Sequence, residues 1–471
     1  MEMLCRIRLQ VEIPVTLSGI FNGGHKMDST KNFTNEGVLK SLIKFAVPGL
    51  AALFLQSLYG GVDLLIVGQF AETADVSGVA TGSLLMQTVT MVITGLSMGI
   101  TIYVGQKIGE RNNEEAGRAI GSGIALFVVL GIILSIILVV FTKGLANVLH
   151  APAEAYAQTC EYIVVCGAGT VFIGLYNLLG AIFRGIGDSK TPLLTVFIAC
   201  IFNILGDLLF VAVLDLGAMG AALATVLAQA VSVIISVVII LKKPLPFTFK
   251  KEYIRFDNRI ILKELKLGTP IALQELLVGI SFLVIQTVVN SIDVVASAGV
   301  GVAEKVCGFI MLVPSAFSQS ISAFVAQNIG AGLKKRAVKA LKYGICVSLC
   351  VAAVIGSFTF WRGDILANIF TKDAGVIVQA HEYLKAYAID TFLTAVLFCY
   401  IGYYNGCGNT FFVMIQGMVG AFCVRVPVVF FMSSLEHTTL FHIGLATPMS
   451  TIFQIAMCVA FMLYTMRAGK K

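Results

Sequence analysis

The sequence predicts an all-α integral membrane protein with twelve transmembrane helices in two pseudo-symmetric six-helix bundles. Composition, recurring apolar runs and an internal duplication carry that class. Of 471 residues, 58% are apolar and 13% charged, and the mean hydropathy is +0.91. Soluble domains carry about 25% charged residues, so water is the wrong solvent for this chain. Apolar runs of about 18 residues or more recur throughout, each long enough to cross a bilayer. The 46 glycines agree, because small residues let helix backbones approach closely in lipid.

The duplication is organised around a basic stretch at 241–266. There Lys242, Lys243, Lys250, Lys251, Arg255, Arg259, Lys263 and Lys266 outweigh Glu252, Asp257 and Glu264. The chain on one side can be laid over the chain on the other. Pro48 falls on Pro270, and from there the offset settles at 221. Gln106-Lys-Ile-Gly109 falls on Gln327-Asn-Ile-Gly330, and Arg184-Gly-Ile-Gly-Asp188 on Asn405-Gly-Cys-Gly-Asn409. Between them, the segment starting at Arg118 falls on the segment starting at Lys339. Anchors that hold one register over this length mark a repeated unit joined by a polar linker.

Six spans are predicted per half. In the first they run 43–68, 77–106, 117–142, 156–184, 191–213 and 217–241. In the second they run 266–290, 298–328, 338–360, 382–404, 411–433 and 445–467. The domains follow: a tail 1–40, a first lobe 41–241, a linker 242–265, a second lobe 266–467 and a tail 468–471. Residues 1–40 hold no apolar run with a small-residue cleavage site, so no signal peptide is expected. Met27-Asp-Ser-Thr-Lys is the more natural start, which would make 1–26 a gene-start artefact.

Loops after even-numbered spans share one side with both tails. That side holds Lys107, Arg111, Arg118, Arg184, Lys190, Lys334, Lys335 and Arg336 as well as the linker. The opposite side holds mainly acids, among them Glu72, Asp75, Glu154, Asp215, Asp293, Asp364 and Glu436. This lysine and arginine bias places both termini in the cytoplasm, in the inner or plasma membrane. It accounts for the net charge of +7 without nucleic acid. With an even number of spans each, the halves insert as parallel repeats. The eleven cysteines are scattered, mostly along apolar helices, without a CxxC or Cys/His cluster. They read as small packing residues and not as a metal or redox site. His150, His381, His437 and His442 fall in predicted outer loops and His25 in the tail.

Ionisable groups at membrane depth are costly and therefore suggest function. Asp63 in span 1, Asn203 and Asp207 in span 5 and Thr225 in span 6 share a depth of ~8–14 Å below the outer surface at 1.5 Å per residue. Asn203 and Asp207 are four residues apart and so lie on one helix face. Two carboxylates, an amide and a hydroxyl suit a proton or a hard cation such as Na⁺. Asp207 maps onto Val428, Asn203 onto Val424, and Asp63 onto Val284 or Ile285, so the second half lacks the cluster. A rival reading makes Asp63 a mere span end near the interface; loss of the whole set from the duplicate weighs against it.

Two motifs are discarded. Gly185-Ile-Gly-Asp-Ser-Lys190-Thr191 lacks the glycine before lysine that a phosphate loop needs, and it follows a membrane helix. Asn32-Phe-Thr34 fits a glycosylation sequon but lies in the predicted cytoplasmic tail. In the second half, Asp390 and Arg425 are equidistant from the turn near Cys407 and Gly408, so antiparallel helices bring them to one depth. An arginine there without a partner would cost at least ~2.5 kcal/mol, which favours a bridge to Asp390, with Glu275 as the competing partner. The bland alternative leaves Arg425 facing a water-filled cavity.

Several stretches resemble the multidrug and toxic compound extrusion (MATE) transporters. They are Pro48 to Asp63 with Val67-Gly-Gln-Phe, Gly95-Leu-Ser-Met-Gly99, Gln106-Lys-Ile-Gly109, Phe183-Arg-Gly-Ile-Gly-Asp188, Asn203-Ile-Leu-Gly-Asp207, Gly220-Ala-Ala-Leu-Ala-Thr225 and Gln327-Asn-Ile-Gly-Ala-Gly332. The resemblance spans about residues 36–467. It implies two six-helix lobes around a cavity that opens alternately to each side, exchanging H⁺ or Na⁺ for organic, often cationic, drugs. It also implies cation-binding groups at Asp63, Asn203, Asp207 and Thr225 and a cavity residue at Asn177. Gln274, Glu275, Asp390 and Arg425 are further candidates for the cavity or its surroundings. Many relatives carry a glutamate eight residues after the span-7 proline; here that place is Val278, which puts a second-lobe cation site in doubt.

The expected function is a monomeric secondary antiporter without a cofactor beyond its coupling ion. Its expected partners are small organic substrates and the lipid bilayer. A flippase for lipid-linked oligosaccharides should carry cationic cavity groups, against which the acid cluster argues. A membrane enzyme would need convergent nucleophile, base or metal ligands at one depth. A channel fits the duplicated halves less well than rocking bundles do.

Overall fold

The computed structural model describes residues 33–242, 249–435 and 437–468. The gene-start segment, Asn32 of the sequon, Lys243, Glu436 and the terminal lysines fall outside the described residues. The first lobe comprises α1 (Val38–Phe70), α2 (Thr73–Gly109), α3 (Asn113–Val140), α4 (Ala153–Ala168 with Thr170–Gly185), α5 (Lys190–Val213) and α6 (Gly217–Lys242). The second comprises α7 (Asn258–Asn290), α8 (Val294–Gly330), α9 (Lys334–Asn368), α10 (Ala374–Gly406), α11 (Thr410–Ser433) and α12 (Leu440–Arg467). Eleven are long and apolar enough to cross a membrane, and α4, bent by 53°, makes the twelfth. Leu65, Val140, Val213, Leu283 and Val354 are 66–72% exposed, the surface a lipid-facing protein presents.

Local chemistry sets the helix ends. Asn112 caps α3 by accepting the Glu115 N–H at 3.1 Å, with Glu114 and Glu115 in the first turn, where acids suit the positive helix end. Asp257 caps α7 through the N–H groups of Arg259 and Ile260. With that cap α7 begins eight residues before the predicted span, inside the predicted linker, because the capped turn also buries Ile260 and Ile261. His381 likewise leaves its predicted loop and lies two turns inside α10. Pro48 and Pro270 sit mid-helix in α1 and α7, where a missing N–H leaves one carbonyl of the ladder unbonded.

The duplication is visible in the backbone. Gly187 and Gly408, equivalent at the 221 offset, both take the left-handed conformation, with φ of 86° and 83°. The lobes interlock at the face that carries the linker. Gln106 Nε2 donates to the Gly406 carbonyl at 3.2 Å, and its counterpart Gln327 donates to the Gly185 carbonyl at 2.8 Å. Gly95 and Gly99 of α2 lie so close to Ala272 and Gly268 of α7 that a methyl group at either would strike backbone. On the same face Asn328 Nδ2 and Arg336 Nη2 donate to the Phe33 carbonyl at 3.1 and 2.9 Å. Lys263 of α7 reaches Tyr103 and Glu115 of the first lobe. Toward the opposite face the lobe-to-lobe hydrogen bonds, ion pairs and ring contacts among the described residues end at the Phe54–Phe309 ring pair, 6.3 Å apart. Beyond that level Gly60 and Gly61 of α1 and Gly279 of α7 have nothing within 4 Å of where a Cβ would stand. The molecule is closed on the linker face.

Candidate functional site

Three helices of the first lobe build the site. Asp63 lies seven residues from the far end of α1, Asp207 six from that of α5, and Thr225 eight from that of α6. At 1.5 Å per residue these depths agree to within about 3 Å. Asp63 is 7% exposed, Asn203 1% and Asp207 fully buried. Asn203 Nδ2 donates to Thr225 Oγ1 at 3.5 Å, the long limit of a hydrogen bond. The structure therefore brings all four predicted residues together.

What the site lacks is donors. Asp63 Oδ1, Asn203 Oδ1 and both oxygens of Asp207 are buried without a hydrogen-bond partner. Buried polar atoms are almost always paired, so four such oxygens side by side point to a missing positive charge. The Asp63 and Asp207 carboxyls face each other within bonding reach. Two carboxylates only accept, and a proton held between them would supply the absent donor. The same oxygens are the ligand type a hard cation takes. Immediately after Asp207 the helix passes into a π turn, Leu208–Val213, the local widening that often marks functional positions.

Sequence reasoning missed part of the surround. The Tyr59 hydroxyl lies near Asp63, with the Gln56 and Gln229 side chains beside it. Tyr162 and Cys166 of α4 also face Asp63; their i, i+4 spacing was the available signal.

The remaining candidates are dispersed. Asn177 accepts from Thr94 Oγ1 at 3.1 Å and lines a cavity between the lobes. Gln274 is buried against Gly417 of α11, inside the second lobe. Glu275, its neighbour, is exposed. Asp390 accepts from Thr394 Oγ1 at 2.9 Å, and its Oδ1 has no partner. The expected bridge from Arg425 is absent, since no carboxylate of the described residues pairs with the guanidinium. Arg425 Nη1 donates instead to Ser281 Oγ at 2.8 Å, and the guanidinium lies 4.4 Å over the Phe282 ring. Asp390, Tyr383 and Tyr387 are its more distant neighbours. A hydroxyl and an aromatic face stand where a carboxylate was expected and relieve part of the buried charge, while Nε is buried without a partner. Glu304 of α8 belongs to the same group through Tyr383 and Cys307; sequence reasoning did not single it out.

Two six-helix repeats closed at one face, with a donor-poor acid pair inside one of them, define a two-lobe membrane transporter. The MatE family model matches residues 48–209 and again 270–431, once in each half. The chain belongs to that family, the multidrug and toxic compound extrusion transporters. It is 26% identical to the probable multidrug resistance protein YpnP of Bacillus subtilis, over 92% of this chain and 96% of the relative. It is 24% identical to the multidrug export protein MepA of Staphylococcus saprophyticus, over 86% and 89%. With the probable multidrug resistance protein NorM of Thermotoga maritima it shares 25% identity, over 84% and 86%. Its fold matches a solved structure described as the outward-facing conformation of a multidrug resistance MATE family transporter, with a TM-score of 0.88 at 18% identity, covering 95% of this chain and all of that one. A transporter from Pyrococcus furiosus, described as having a binding pocket of reversed polarity, matches equally well, at 0.88 and 19% identity over 95% of this chain.

Proposed function

We propose that the protein is a secondary antiporter that exports organic, amphipathic cations in exchange for H⁺ or Na⁺. The four unpartnered oxygens of Asp63, Asn203 and Asp207 carry this reading. A buried site that asks for one positive charge is emptied and refilled as the lobes change their packing. With the linker cytoplasmic, as its lysines and arginines indicate, the described state is closed toward the cytoplasm. Ion binding at Asp63 and Asp207 then neutralises the buried charge, α1 repacks against α5 and α6, and a bound drug loses its pocket. Ion and drug bias opposite conformations, and exchange requires that. The relatives' names support drug export, and the protein works on this reading as a monomer in the plasma membrane.

The test is dye efflux from vesicles with an imposed proton or sodium gradient, one at a time. Asp63→Asn and Asp207→Asn should each abolish gradient-driven efflux of a cationic dye while membrane insertion is retained. Wild-type efflux in either variant removes that carboxylate from the mechanism. Drive by one gradient alone identifies the ion.

A further inference from the structure

Between the lobes, on the linker side of the acid pair, lies a cavity bounded by α1, α4, the start of α5 and α8. Its lining is mainly apolar, with Gln56, Asn177, Gln319 and Ser320 among its polar groups, and one lining side chain is ionic: Arg184, near the end of α4. Its Nε is buried without a partner, and no carboxylate of the described residues pairs with the guanidinium. The nearest acid in sequence is already committed. Asp188 accepts from the N–H groups of Lys190 and Thr191 and from Thr191 Oγ1 at 2.6–3.1 Å. Asp63 sits seven residues beyond Gln56 along α1, about two turns farther from the linker.

A guanidinium keeps its charge under all ordinary conditions and presents a fork that matches carboxylate and phosphate oxygens. Arg184 is half-buried at the cavity wall, and a guanidinium there without a carboxylate partner keeps donors free for a ligand. The amides beside it offer further N–H donors: Asn177 Nδ2 donates once, to the Ile173 carbonyl at 2.9 Å, and keeps a second hydrogen. We infer that this cavity binds an anionic group, a carboxylate or phosphate carried by an amphipathic molecule, with Arg184 as its counter-charge. This rests on the transport reading only for the fate of the bound molecule; binding is measured without a gradient.

The full chain in nanodiscs is titrated with a rhodamine that bears a free carboxylate and with the methyl ester of the same dye, followed by fluorescence anisotropy. Wild-type protein should bind the free acid more tightly than the ester. Arg184→Gln should weaken free-acid binding about tenfold while leaving the ester nearly unchanged. Arg184→Lys should recover part of the loss. Gln319→Glu, which supplies an internal partner, should act like Arg184→Gln and serves if that variant fails to fold. Loss of wild-type preference in phosphatidylglycerol discs, with preference retained in phosphatidylcholine discs, identifies a net-anionic lipid headgroup as the competing occupant of the same pocket. Equal weakening of both dyes, or no weakening of the acid in the two variants, overturns the inference. Ester binding with failed gradient-driven efflux would count against the antiport reading alone.

Discussion

Gly109 and Gly330 occupy equivalent places in the two halves, and each lies against the backbone of the other lobe. A methyl group at Gly109 would run into the Gln327 carbonyl, and one at Gly330 into that of Gln106. Backbone cannot rotate away, so Gly109→Ala or Gly330→Ala should push the lobes apart on the linker face. Overpacking of this kind costs about 1–3 kcal/mol, a shift of roughly 5–150-fold toward the state open on that face. A cysteine placed at buried Ile102, which packs with Ile271 and Ala326 of the second lobe, should gain labelling by a thiol reagent in both variants; unchanged labelling would show that the face yields without opening. The glycines were legible as repeat anchors but their job was not, because the contact joins residues far apart in the chain. Asp63, Asn203, Asp207 and Thr225 were legible because helix rise converts residue counts into depth. Arg184 was read as an orientation charge, since its counter-charge problem exists only once α8 closes the cavity over it.

Among the elements, α5 and α11 share a feature that the sequence did not announce. Both contain a π segment beside an ionisable residue: Leu208–Val213 follows Asp207, and Val419–Arg425 ends on Arg425. A π turn is a change of hydrogen-bond register, and apolar helices carry no compositional mark of it. The bend of α4 at Gly169 was hidden in the same way. The predicted pairing of Arg425 with Asp390 failed for a related reason. Equal depth does not fix which way a side chain turns, and Ser281 and Phe282 of α7 take the guanidinium. Arg425→Lys should therefore behave as a damaging change, because an ammonium loses both the forked donor and the stacked plane. Losing the aromatic contact and the hydroxyl bond together amounts to about 1–3 kcal/mol. It should appear as a lower unfolding temperature in detergent. Charge reversal of Asp390 and Arg425 together should not restore the loss, and rescue by that swap would reinstate the ion pair.

At the scale of the whole molecule, the fold class followed from composition and from the repeat, because lipid leaves so few solutions for a chain this apolar. The closed face did not follow, since both conformations of such a protein use the same spans. The reciprocal bonds of that face, Gln106 to Gly406 and Gln327 to Gly185, obey the rule of a twofold homodimer, in which a residue touches on its partner what the partner's copy touches in return. The two lobes thus meet through an isologous interface inherited within one chain, to which the linker adds proximity and the packing of Tyr253 against Arg118 and Gly121 of α3. Residues 1–242 and 249–471, produced together as separate polypeptides, should associate in the membrane and recover dye efflux, whereas either alone should not. Co-purification of the two pieces measures this directly, and failure to associate would make the covalent connection a structural part of the transporter. Success would leave the buried acid pair Asp63 and Asp207, present in one piece only, as a marked difference between two lobes that otherwise meet as equals.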